Sequence, residues 1–290
     1  MSAIEREILT QPANWRRAAA LAPEHSSILP KPGERVVAVG CGTSLHMARA
    51  YAAAREASGA GETDVFPASE MPDRRGYDRL LAISRSGTTS EVARLLKAHD
   101  GAASVVVTAV AGSPCAELAS AAVVLEFADE ESVVQTRFAT TALALLLAAL
   151  GRDVEGDAAA AEAALEAPLP ELGAYERFVF LGAGWTVGLA DEAALKVREA
   201  AGAWAESYPA MEYRHGPISA NAEETLVWPL GGVDRSVLDD AVRAGSSVAE
   251  NGTSPLASLV LAQRAAVAMA LSRNLDPDHP HSLTRSVVLP

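Results

Sequence analysis

The chain has 290 residues, 49% of them apolar and only 5% aromatic. That is enough for one large domain or two of about 140 residues with a sizeable core. Lys and Arg number 24 against 37 Asp and Glu, a net charge of −13. That balance argues against nonspecific nucleic-acid binding but leaves room for an anionic small ligand at loops and helix N-termini.

Residues 1–30 read as a helical lead-in. Arg35–Val39 reads as a buried strand that ends in Gly40-Cys41-Gly42-Thr43-Ser44, with a helix from about Leu45 to Ala57. Arg79–Ile83 reads as a second strand, ending in Ser84-Arg85-Ser86-Gly87-Thr88-Thr89, with a helix from Ser90 to about His99. Ser104–Val110 and Ala122–Phe127 read as a third and a fourth. Continuous rather than alternating apolar strands, separated by helices, predict a parallel sheet covered on both faces. Asp153–Ala167 is acidic and Ala-rich, and Pro168-Leu-Pro170 breaks it, so it reads as a joint between domains.

The pattern then restarts. Arg177–Leu181 reads as a strand ending in Gly182-Ala-Gly184 before a helix, and Thr225–Leu230 as another strand. A helix is expected from about Pro255 to Arg273, with Ser254 placed to cap it and Pro255 suited to its first turn. Ser286–Leu289 reads as a last strand. The expected fold class is α/β with two similar domains, 31–155 and 170–290, each a parallel sheet flanked by helices on both faces.

Cys41 and Cys115 are the two cysteines, too few for a disulfide framework and without CxxC spacing. His279 and His281 flank a proline near Asp278 and could bind a metal, the weaker reading of that pair. Met1-Ser-Ala-Ile-Glu-Arg-Glu7 lacks a cationic, apolar leader. The longest apolar runs, such as Thr140–Leu150, are too short for a bilayer. A cytoplasmic protein without membrane contact is expected.

Three segments carry the chemistry. Glu192, Lys196 and Glu199 stand at i, i+4 and i+7, on one helix face. Glu206 and then Glu212-Tyr-Arg-His215-Gly-Pro217 follow. Two carboxylates, an ammonium and an imidazole can move protons on a small polar substrate. An ordinary surface ion pair of Glu192 with Lys196 and a turn histidine are the plainer alternative. The third segment comprises the strand-to-helix turns of the first half. Thr43 and Ser44 lie in one, and Ser84, Ser86, Thr88 and Thr89 in the other. Hydroxyls, glycines and helix N-terminal amides at the carboxyl ends of parallel strands suit a phosphate. No Walker lysine follows, which disfavours a nucleoside triphosphate. Helix capping is the alternative use of those hydroxyls. Arg85 could add charge or point to solvent.

These motifs resemble the SIS (sugar isomerase) family in its double-domain form. They look most like the isomerase half of glucosamine-6-phosphate synthase and its shorter relatives. Glu7-Ile8 with Gln11-Pro12 is similar to the segment that opens that half. Cys41-Gly-Thr-Ser44 and Ser84-Arg-Ser-Gly-Thr-Thr89 resemble the two sugar-phosphate loops. Val133–Thr141, with Gln135-Thr136-Arg137, resembles the family's Val-Ala-Ser-Thr-Lys segment. Glu192–Glu199 and Glu212–Pro217 resemble the catalytic helix and the histidine turn.

The resemblance implies that Ser84, Ser86 and Thr89 bind the sugar phosphate and that Thr43, Ser44, Arg85, Val133 and Gln135 line the site. Glu199 would shuttle a proton between C1 and C2 of the open-chain sugar. His215 would open the ring or protonate a leaving group, reaching in from a second subunit of a homodimer. Neither a metal nor a cofactor is implied. No glutaminase domain or N-terminal nucleophilic cysteine is seen, so glutamine-dependent synthesis is not expected. Where the synthase has an imine-forming lysine, this chain has Arg285, whose guanidinium stays protonated and cannot form that bond.

The leading expectation is an enzyme that isomerises, deaminates or deglycates an amino-sugar phosphate or ketosamine phosphate. In it, Lys196 and Arg285 stabilise developing negative charge and Glu192 orients Lys196. A noncatalytic sugar-phosphate sensor, or an isomerase subunit serving a separate amidotransferase, are the alternatives.

Overall fold

The computed structural model describes residues 1–72, 75–99, 103–249 and 252–289. Two short helices, α1 (Ala3–Leu9) and α2 (Gln11–Leu21), open the chain. The first half continues through β1 (Val36–Gly40), α3 (Thr43–Ala57), β2 (Thr63–Pro67), β3 (Arg79–Ile83), α4 (Ser90–Ala98), β4 (Ala103–Thr108), α5 (Pro114–Leu118) and β5 (Ala121–Val124). Helices α6 (Arg137–Ala149) and α7 (Val154–Glu166) follow. The second half holds β6 (Arg177–Gly182), α8 (Thr186–Ala201), β7 (Trp204–Pro209), β8 (Thr225–Pro229), α9 (Arg235–Arg243), β9 (Ser247–Val248) and α10 (Pro255–Ser272).

The strands form two sheets, ordered β2-β1-β3-β4-β5 and β7-β6-β8-β9. Every pairing in both is parallel. β1 and β3 are buried at every residue, as strands covered on both faces must be. Their side chains alternate between two clusters. Val36, Ala38, Leu81 and Ile83 face one core, and Val37, Val39, Leu80 and Ala82 face the other. The first core continues through α3, α6, α8 and α10 to Phe178, Phe180, Leu226 and Trp228 of the second sheet. These helices are therefore a shared middle layer between the sheets.

Within that layer α3 and α8 touch backbone to backbone. A Cβ on Gly188 would stand 2.5 Å from the His46 carbonyl oxygen and 2.6 Å from the Ala50 nitrogen. Further along, Lys196 meets Thr43. The two helices thus run antiparallel. The last turns of α8 arrive at the carboxyl edge of the first sheet, where α3 begins.

Several expectations need correction. The segment expected to be a joint is largely α7, whose Val154, Ala158, Ala161 and Ala164 are buried against α2 and α10. Its alanines are packing surface rather than linker. Ser286–Leu289 is not a strand. It lies along the start of α4, where the Ser90 amide donates to the Val287 carbonyl at 3.1 Å. The fourth strand stops at Val124, and Glu126–Ala128 is a 3-10 turn. β2, β7 and β9 were not anticipated. Pro255–Ser272 is long and apolar enough to cross a membrane, unlike the runs considered above, but 72% of that stretch is buried inside the protein. Ser254 caps this helix as expected, accepting from the Ala257 amide.

Candidate functional site

In a parallel sheet ordered 2-1-3-4-5 the connections leave β1 and β3 toward opposite faces, which opens a crevice beyond their carboxyl ends. The two hydroxyl-rich turns stand there. Gly87 makes the second turn possible. It has φ +63°, and a Cβ on it would fall 2.0 Å from Ser113 Oγ.

The hydroxyls are not spent on capping. Neither Gly42 before α3 nor Thr89 before α4 makes a side-chain cap bond. Ser86 Oγ instead accepts from the Thr88 amide at 3.2 Å. Thr88 Oγ1 lies 2.9 Å from both Ser86 Oγ and Ser286 Oγ. Among the described residues the buried Ser84 hydroxyl finds no nitrogen or oxygen partner, only the Cys115 thiol. Ser44 is buried and Thr89 half-buried. Hydroxyls and uncapped helix amides gathered at a switch point can bind an anion.

The predicted face of α8 reaches this crevice. Lys196 Nζ donates to Thr43 Oγ1 at 2.9 Å and to Glu199 Oε2. It also lies 3.3 Å from Glu192 Oε1, an ion-pair contact without hydrogen-bond geometry. The Lys196 and Glu192 side chains are 1% and 0% exposed, and that of Glu199 is 20% exposed. A surface ion pair is thereby excluded for Glu192 and Lys196. Burial pushes the Glu192 carboxyl up to about 8, with Lys196 pulling it down and Glu199 pushing it further up. Burial works against the Lys196 charge, but Glu192 and Glu199 outweigh it and raise the ammonium above its ordinary value. Near neutral pH the cluster therefore holds a mostly protonated Glu192 beside a charged lysine. Only the Glu199 side chain retains appreciable exposure.

One turn into α3 lies a group that sequence reasoning missed. His46 Nδ1 is buried without a hydrogen bond among the described residues, 4.0 Å from the Asp191 carboxylate. Burial lowers this imidazole to about 4, although Asp191 opposes the shift. Asp191 is engaged by Arg49 and by Ser207 Oγ at 2.7 Å. The only sequence signal was the place of His46 two residues after Ser44.

Arg85 neither points to solvent nor offers charge to the crevice. It is 2% exposed. Its Nη1 donates to the Ser132 carbonyl at 2.9 Å, and its Nη2 to those of Val133 at 3.0 Å and Arg285 at 3.2 Å. Its role as a ligand contact is corrected to that of a strut between the turn and the 130–133 segment. Val133 enters through its backbone, and its amide donates to the Asp278 carbonyl at 2.9 Å. Gln135 is half-buried, and its Oε1 has no hydrogen-bond partner among the described residues. The Arg285 guanidinium is committed to Asp129 and to the Glu130 carbonyl, so it does not stand free for developing charge.

His215 is exposed at the end of a 3-10 turn, Glu212–His215. α8 ends at the amino edge of the second sheet, and the six residues of β7 carry the chain back by about 20 Å. The segment after His215 then turns back, since Pro217 and Ala220 line a cavity with Arg177, Trp204 and Thr225 at the amino ends of β6, β7 and β8, and no bond between Glu199 and His215 is found among the described residues. His279 pairs with Asp276 at 3.1 Å, and His281 Nδ1 contacts Ser282 Oγ at 2.7 Å. The two histidines share no partner, and no cluster suited to a metal is found among the described residues.

Comparison with known proteins fits this geometry. Residues 29–150 match the SIS domain family. A glutamine–fructose-6-phosphate aminotransferase (isomerizing) of Sulfolobus acidocaldarius is 26% identical over 303 residues, covering 89% of this chain and 51% of that protein. Its counterpart in Methanothermobacter thermautotrophicus is 28% identical, covering 88% and 52%. The chain thus spans about half the length of these curated relatives. The crystal structure of a glucosamine-6-phosphate deaminase from Thermotoga maritima superposes with a TM-score of 0.83 at 25% identity, covering 99% of this chain and 100% of that one. The C-terminal domain of the glucosamine-fructose-6-phosphate aminotransferase from Francisella tularensis has the same fold, with a TM-score of 0.83 at 19% identity over 97% and 98% of the two chains. Residues 29–150 form a SIS domain, and the chain is homologous to the isomerase part of the glutamine–fructose-6-phosphate aminotransferases.

Proposed function

We propose that this protein is an enzyme that moves a proton on an amino-sugar phosphate or ketosamine phosphate, leading to isomerisation, deamination or deglycation. The observation that carries this reading is the bond from Lys196 to Thr43. It links Glu199, through Lys196, to the first turn, which holds Thr43 and Ser44, and β3, whose turn holds Ser84, Ser86 and Thr89, is the neighbouring strand. The phosphate would lie on those hydroxyls and the free amides of α3 and α4. Glu199 removes the proton α to the carbonyl or iminium carbon. The electron pair passes into an enediol or enolamine, and the proton returns to the neighbouring carbon. Lys196, held by Glu192, stabilises the negative charge that develops. No imine with the protein is formed, because Arg285 cannot supply one.

His215 completes the site from a second copy of the chain in a homodimer. The family resemblance supports that assignment, and no bond joins His215 to Glu199 among the described residues of one chain. The shared 2-1-3-4 order of the two sheets supports a second SIS-type unit over residues 170–290, after a first over 31–155. A cytoplasmic setting fits an enzyme acting on a sugar phosphate.

Glu199→Gln tests the reading. It keeps shape and removes the base, so sugar-phosphate binding should persist while kcat falls by about 10²–10⁴. Entry of solvent deuterium at C1 or C2 of the substrate should stop. Exchange at the wild-type rate in the variant would sink the mechanism and leave a sugar-phosphate sensor as the better account.

A further inference from the structure

A buried chain of bonds leads from the first helix to the turn after β3. Glu7 is 3% exposed. Its carboxylate accepts from the amides of Glu131 at 2.6 Å and Ser132 at 3.2 Å, and from the Ser132 hydroxyl. The Ser132 carbonyl then accepts from Arg85 Nη1 at 2.9 Å, and the Val133 carbonyl from Nη2 at 3.0 Å. Arg85 sits between Ser84 and Ser86. The start of α1 is itself fixed, since the Ala3 and Ile4 amides both donate to the Asp278 carboxylate at 2.8 Å.

No ion pair of Glu7 is found among the described residues. A buried carboxylate without a cation is costly unless its lone pairs are filled. Here three donors from an irregular segment fill them, and that segment in turn grips the arginine of the turn. An apolar side chain could hold α1 in place equally well, but it could not hold residues 131 and 132.

We propose that Glu7 is a positioning residue for the sugar-phosphate turn. Acting through Ser132 and Arg85, it sets where Ser84, Ser86 and Thr89 stand. The proposal rests on the sugar-phosphate reading above. It places the control of that turn in a helix that is distant in sequence and touches no ligand.

Calorimetric titration of the full chain with glucosamine 6-phosphate, fructose 6-phosphate and inorganic phosphate tests it. Glu7→Ala should raise Kd for the sugar phosphates by about tenfold, the size of one lost charge-assisted bond, with the number of sites per chain unchanged. Glu7→Gln should restore affinity. Its carbonyl oxygen still accepts both amides, and its NH2 can donate to Ser132 Oγ, whose proton goes to the Val134 carbonyl at 2.8 Å. If Glu7→Ala does not fold, Ser132→Ala reads the same link and should raise Kd severalfold.

Wild-type Kd in Glu7→Ala or, failing that, in Ser132→Ala would overturn the positioning role and leave the phosphate site standing. Fewer sites at an unchanged Kd would also overturn it, since that marks a merely structural residue. A wild-type protein that binds neither sugar phosphate would overturn the sugar-phosphate reading and this proposal together.

Discussion

Lys196 Nζ lies 2.9 Å from Thr43 Oγ1, a residue 153 positions earlier in the chain. This one bond joins the end of α8, rooted in the second sheet, to the start of α3 at the carboxyl edge of the first. The ammonium also serves two carboxylates, Glu192 and Glu199. Stability and site geometry therefore meet in the same side chain.

Removing that cation should be costly. Lys196→Met leaves two carboxylates facing each other, one fully buried, and strips Thr43 of its donor. Loss of one member of a buried pair costs about 3–5 kcal/mol. Urea unfolding at pH 7 should show a loss toward the lower end, because the fully buried partner, Glu192, is already mostly protonated. Glu192→Gln should cost less than about 1.5 kcal/mol at the same pH, since the amide replaces a group already mostly protonated. Equal losses in the two variants would mean that Glu192 is ionised in the native protein.

The pH dependence follows with a definite sign. Burial raises Glu192 from 4.5 to about 8, so the folded chain holds this proton more tightly than the unfolded one. Its contribution is fully present below about pH 4.5 and is lost as pH rises through about 8. His46 acts in the other direction. Burial lowers it from 6.5 to about 4, so its contribution is present above pH 6.5 and is lost as pH falls through about 4. The two slopes oppose each other between pH 4.5 and 6.5, and of these two groups Glu192 alone acts above that. Stability measured by urea unfolding should fall between pH 6.5 and 8, by about 1–2 kcal/mol. The fall should vanish in Glu192→Gln and persist in His46→Gln. A fall of the same size in Glu192→Gln would assign it to another group.

The parts of this architecture that could be read in advance are those fixed by local spacing. β1, β3 and β6 are short unbroken apolar runs, and burial on both faces produces that pattern. The face shared by Glu192, Lys196 and Glu199 follows from helix geometry alone, and the structure places all three around one ammonium. β7 escaped because it is an edge strand, with Trp204, Glu206 and Tyr208 on one side and alanine and serine on the other, so it never forms an apolar run. Ser286–Leu289 misled for the opposite reason. It is apolar, but it meets the start of α4 rather than a sheet. The partners of Arg85 lie 45 to 48 residues away or, for Arg285, 200 residues away. No local pattern could have shown that its fork closes on carbonyls instead of a ligand. His46 was hidden likewise, since only the crossing of α3 with α8 buries it.

That crossing makes a prediction of its own. Gly188→Ala would set a methyl 2.5 Å from the His46 carbonyl oxygen and 2.6 Å from the Ala50 nitrogen, contacts with backbone that cannot rotate away. Overpacking of this kind costs about 1–3 kcal/mol. The helices must separate, which draws Lys196 away from Thr43. Thermal unfolding should show a lower midpoint, and sugar-phosphate affinity should fall with it. In a glycine exchanged for helix propensity alone, alanine would stabilise by about 1 kcal/mol. A stabilised Gly188→Ala protein would therefore refute the close contact.

The homodimer proposal is tested by mixing. No bond joins Glu199 to His215 among the described residues of one chain, and a site that draws them from two chains has its own signature in mixed dimers. Glu199→Ala and His215→Ala should each be nearly inactive alone. After co-refolding, half of the dimers at random are heterodimers. Each heterodimer holds one site with both groups intact and one with neither. Activity per mole of protein should recover toward about a quarter of the wild-type value, the fraction of sites restored by random pairing. The assay can be turnover of a sugar phosphate or deuterium entry at C2. Recovery should track the heterodimer fraction measured by native mass spectrometry. Heterodimers formed without any return of activity would place His215 outside the site that Glu199 serves, and the single chain would then have to supply its own acid.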